Sequence, residues 1–74
     1  MTNWIIKVFN ERDYQTTQEV FLDYEKALSK YEELKKIAKN TKKTFTICLY
    51  ANKNDVETLL ETETVNPTKI IKIN

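Results

Sequence analysis

The chain has no glycine and no histidine, and only one cysteine, one proline and one arginine among its 74 residues. Without histidine there is no commonest general base, no Ser-His or Cys-His nucleophile pair and no HExxH zinc helix. Without glycine neither GxGxxG nor GxxxxGK[ST] can be built, because both need a bare backbone close to a phosphate. The lone Cys48 cannot form an internal disulfide, and small secreted domains normally need such staples, so a cytoplasmic location is expected. The apolar run Trp4–Phe9 is interrupted by Lys7 and has no basic segment before it, which does not fit a signal peptide. No stretch nears the ~20 apolar residues of a membrane helix. Eleven acidic residues remain, but so short a domain has little room for a cleft that separates their pKa values. No catalytic residue is therefore assigned, and a non-enzymatic protein is expected. The acidic run from Asp55 to Glu63 lacks the ligand spacing and central glycine of a calcium loop, so neither metal nor other cofactor is expected.

What is present fits one small domain spanning residues 1–74. A core of this size supplies only about 3 to 5 kcal/mol, which makes self-association useful. Twelve basic and eleven acidic residues nearly cancel, yet they are segregated. Lys35, Lys36, Lys39, Lys42 and Lys43 form a basic cluster, and Asp55, Glu57, Glu61 and Glu63 an acidic stretch. Eleven lysines to one arginine, with seven asparagines and ten threonines, suit an AT-rich genome. In composition the chain resembles small proteins of Gram-positive phages and mobile elements. That resemblance implies a chain that acts on a host protein.

Trp4, Ile6 and Val8 alternate with Ile5, Lys7 and Phe9, the period of a strand. Asn10–Asp13 then reads as a turn longer than two residues, because glycine is missing, and Thr16–Leu22 as the returning strand. Asp23 is placed to cap a helix whose apolar stripe is Tyr24, Ala27, Leu28, Tyr31, Leu34 and Ala38. Asn40, which tolerates the left-handed conformation, is the expected C-cap. Thr44–Ala51 alternates cleanly with Phe45, Ile47 and Leu49 on one face. After a turn at 52–55, Val56–Val65 reads as a fourth strand, although Leu59-Leu60 is also compatible with helix. Asn66-Pro67 ends that run, and Thr68–Ile73 can add a short fifth strand. The fold class is α+β: a two-layer β-β-α-β-β(-β) unit with one helix on one face of a mainly antiparallel sheet of four to five strands.

One helix leaves one sheet face without a roof. Trp4, Ile6 and Val8 are assigned to the helix side, so Ile5, Phe9, Cys48, Tyr50 and Leu59 fall on the other side as a partner-binding surface for another protein or a second copy. The alternative reading is sequence-tolerant nucleic-acid binding through Lys35, Lys36, Lys39, Lys42 and Lys43, since each lysine that neutralises a phosphate releases counterions. A single arginine argues against reading bases, which relies on the bidentate fork.

Overall fold

A computed structural model describes residues 1–67 of the chain. The order is β1 (Thr2–Phe9), β2 (Gln15–Phe21), α1 (Tyr24–Lys39), β3 (Phe45–Lys53) and β4 (Val56–Val65). All neighbouring strands are antiparallel, and the sheet order is β2-β1-β3-β4. The α+β architecture is the one expected. The expected strand over 68–73 lies outside the described residues.

Each turn has a local cause. Between β1 and β2 the Asn10 carbonyl accepts from the Asp13 N–H (3.0 Å) and the Asn10 N–H donates to the Tyr14 carbonyl (2.9 Å). Asp13 takes a positive φ of 62°, and the Asn10 side chain accepts from the Arg12 and Tyr14 N–H groups. This is a three-residue hairpin loop ending in a left-handed residue, longer than the two-residue kind as anticipated. The second hairpin is tighter. Lys53 pairs with Val56, so Asn54 and Asp55 alone make the turn, both left-handed (φ 53° and 63°). Positive φ at both centres is the primed hairpin geometry, built here without glycine because Asn and Asp tolerate it best.

The helix begins where Asp23 accepts a hydrogen bond from the Glu25 N–H (2.9 Å). Its C-cap is Asn40, as expected, but not through the left-handed geometry expected of it. Asn40 is not left-handed (φ −92°, ψ 4°), and its N–H donates to the Ile37 carbonyl. Thr41 also closes the last turn, donating from its N–H and its hydroxyl to the Ala38 carbonyl. β4 is strand throughout, with a register shift between Leu49 and Tyr50 that leaves Leu60 as the extra residue of a bulge.

The core joins Ala27, Tyr31 and Ala38 of α1 to Ile6 and Val8 of β1, Ile47 and Leu49 of β3, and Val65 of β4. Alanines on the helix stripe allow α1 to sit close to the central strands. Trp4, Phe21, Leu28, Leu34 and Phe45 pack around this centre. Trp4 lies 5.8 Å from Tyr24, ring to ring, in a tilted pair. Of the two stripe tyrosines, Tyr31 is core while Tyr24 is 41% exposed. Burial of Ile6, Ile47 and Leu49 contributes about 1.5 to 3 kcal/mol each. The cover stops at the centre: β2 before Phe21 and β4 before Val65 are exposed along their lengths.

The left-handed turn yields a direct test. Asp55→Ala should destabilise the fold by about 1 kcal/mol in urea unfolding, whereas Asp55→Gly should be no less stable than the parent. Equal losses for both substitutions would show that the left-handed backbone at 55 carries no strain.

Candidate interaction face

The face turned away from α1 is organised by register into transverse rows. Ile5 lies opposite Val20 on β2 and Tyr50 on β3, and Tyr50 lies opposite Leu59 on β4. These four form one apolar row across the whole sheet. The next row is Gln18, Lys7, Cys48 and Thr62, and the one after it holds Phe9 and Thr46, the latter facing Thr64. On the other side of the apolar row stand Asn3, Asn52 and Glu57. The surface is thus an apolar bar between polar rows, more mixed than a continuous apolar patch.

All five residues assigned to this face from the sequence lie on it, but two are not open to a partner. Ile5 is 5% exposed and Cys48 7%, a correction to their assignment as contact residues. Ile5 is flanked by Val20 and Tyr50 within its row and by Asn3 and Lys7 along its strand. The Cys48 thiol is within 3.3 Å of the Thr62 hydroxyl. Phe9 and Tyr50 are partly exposed, and Leu59 is about half exposed. Val20, 53% exposed at the β2 end of the row, was missed. A three-residue loop alone would set Glu19 opposite Ile5; the bulge at Thr16 brings Val20 there instead, and no residue type signals it.

The polar atoms of this face are tied to one another. The Lys7 ammonium donates to Glu57 at 2.7 Å and sits 4.9 Å above the Tyr50 ring centre, so one cation braces β1, β3 and β4. Thr46 and Thr64 share a hydroxyl hydrogen bond at 3.0 Å. The side-chain oxygens of the cross-strand neighbours Asn3 and Asn52 are buried without a partner. Burial is the main reason the Tyr50 hydroxyl has a raised pKa, with nearby Cys48 adding to it and Lys7 opposing it.

On the helix side the basic cluster is divided. Lys35 is held by Glu32 (3.0 Å) and by Glu63 of β4 (3.6 Å), and lies 5.0 Å from the Tyr31 ring centre. It is committed to bracing α1 against β4. Its pKa is raised, first by the hydrogen bond to Glu32. Lys36 and Lys39 are in the last helical turns, and Lys42 and Lys43 are in the connection to β3. The acidic stretch is divided too: Glu63 stands on the helix side, Glu57 on the opposite face. Among the described residues no three Cys, Asp or Glu side chains are grouped to hold a metal ion, and no helix is long and apolar enough to cross a membrane.

No family model matches the chain, and neither a curated protein nor a solved structure matches it.

The buried tyrosine predicts an alkaline limit. Burial raises the Tyr31 hydroxyl above the usual value of about 10, so the fold favours its neutral form. That contribution is complete below pH ~10 and is lost as pH rises through the folded-state value; Tyr50 acts in the same direction. The melting temperature should stay level to about pH 9 and fall above about pH 10. Tyr31→Phe combined with Tyr50→Phe should flatten the fall, leaving the part carried by Lys35. An unchanged alkaline fall in the double variant would contradict this account.

Proposed function

We propose that the chain is a non-enzymatic protein-interaction module that engages another protein through the sheet face opposite α1. The observation that supports this most is the apolar row Val20, Ile5, Tyr50 and Leu59, which ends in half-exposed aliphatic side chains on both edges and carries aromatic surface between them. Phe9 and Tyr50 supply the rings that interfaces enrich, and the Lys7–Glu57 pair offers one charge of each sign at the rim. Ile5 and Cys48 act beneath the surface, holding Tyr50 and Thr62 in place rather than touching the partner. The composition's resemblance to small phage and mobile-element proteins favours a host protein as that partner. The engagement of Lys35 by two carboxylates weighs against nucleic-acid binding through the basic cluster.

Site-specific photo-crosslinking tests the reading. A photoreactive residue at Leu59 should capture one discrete protein, whereas the same residue at Lys36 should not. Val20→Glu should abolish the capture while moving the melting temperature by less than about 4 °C, the range of a harmless surface change. Equal capture at both positions would reject this face. So would a DNA mobility shift that weakens steeply with salt and is accompanied by no protein partner.

A further inference from the structure

β2 is an open edge of the sheet among the described residues, and alternate backbone groups along it point away from β1. α1 covers the centre of the sheet and leaves a groove of about 190 Å³ between its C-terminal half and the start of β2. Val8, Leu34, Ile37 and Phe45 line the groove, with Thr16 and Thr17 of β2 on its rim. For comparison, a dry cavity of about 150 Å³ accommodates benzene, so this groove has room for one apolar side chain. Two large side chains near this edge are left in water: Ile37 is 52% exposed and Leu22, just past the other end of β2, is 77% exposed.

We infer that β2 pairs with β2 of a second copy of this chain, antiparallel about a twofold axis at Gln18. That register overlaps all seven residues of the strand. Thr17 then faces the partner's Glu19 and Gln18 the partner's Gln18, with the bulged Thr16 of each strand near the partner's Val20. Glu19 is the strand's one charged residue, and it never meets itself, so the pairing contains no like-charge contact. β2 has no lysine and no proline to block an added strand, and its bulge lies at Thr16, near the end. The antiparallel direction carries the partner's Leu22 (77% exposed) opposite Tyr14 (67% exposed), and the twofold repeats that apolar contact. An isologous pairing of this kind is closed at two chains. It joins the eight described strands into one sheet with both helices on one face and both apolar rows on the other, so a partner on the outer face would meet two copies of the row. The inference does not depend on that outer face having a partner.

Light scattering over a range of concentrations reads the result. The parent chain should pass from the mass of one chain to that of two. Gln18→Glu places a carboxylate opposite Lys7 in each monomer, yet opposite its own copy across the twofold. It should therefore raise the concentration of half-dimerisation by about tenfold at neutral pH and lose that effect in high salt or below about pH 4. Leu22→Ser should weaken pairing by a similar factor without lowering the melting temperature of the dilute monomer. A chain that stays monomeric at every concentration overturns the inference. So does a dimer indifferent to both substitutions, or one dissociated by Leu59→Glu instead, which would put the seam on the outer face.

Discussion

A helix about 10 to 12 Å across cannot roof four strands set about 4.8 Å apart, and it can lie on only one side of them. The chain meets this constraint by centring α1 on β1 and β3, where Ala27, Tyr31 and Ala38 close onto Ile6, Ile47 and Leu49. Everything beyond that central strip has to be stabilised another way. On the helix side, Lys35 bridges from α1 to Glu63 of β4 and so ties down an edge strand that the helix does not cover. On the far side, Lys7 does comparable work through Glu57 and the Tyr50 ring. Exposed ion pairs contribute little singly, but each of these lysines contacts two or three elements at once.

The two edges differ in their protection. β4 carries Glu57, Glu61 and Glu63 and bends at the Leu60 bulge, features that discourage an added strand. β2 carries one acid and borders an apolar groove. The outer face and the β2 edge are therefore both consequences of placing one helix over the centre, and the proposed partner surface and the proposed self-pairing use what that placement leaves open.

Much of the architecture was legible because period and composition speak directly. The alternation in β1 and β3 put Trp4, Ile6, Val8, Phe45, Ile47 and Leu49 on the helix side, and Asp23 marked the start of α1. Asn40 marked the helix end, but its backbone is not left-handed, and the Thr41 hydroxyl two positions past the last helical residue helps to satisfy the open carbonyl. Cross-strand neighbours were less legible. Val20 joins the apolar row only because a bulge at Thr16 shifts the register that the three-residue loop sets between β1 and β2, and Leu60 leaves the strand period through a bulge that no residue type announces. The burial of Ile5 and Cys48 was also hidden, since an outer-face position says nothing about how closely its neighbours stand. Likewise, the lysine cluster in sequence says nothing of Glu63, which arrives from a distant strand to hold Lys35.

The central claim concerns coverage, and solvent accessibility measures it most directly. A soluble paramagnetic probe added to the folded, dilute chain should broaden the methyl signals of Val20, Leu22, Ile37 and Leu59 while sparing those of Ile6, Ile47 and Leu49. Equal protection of both sets would mean that the outer face and the β2 edge are already covered, and the account built on one central helix would fail.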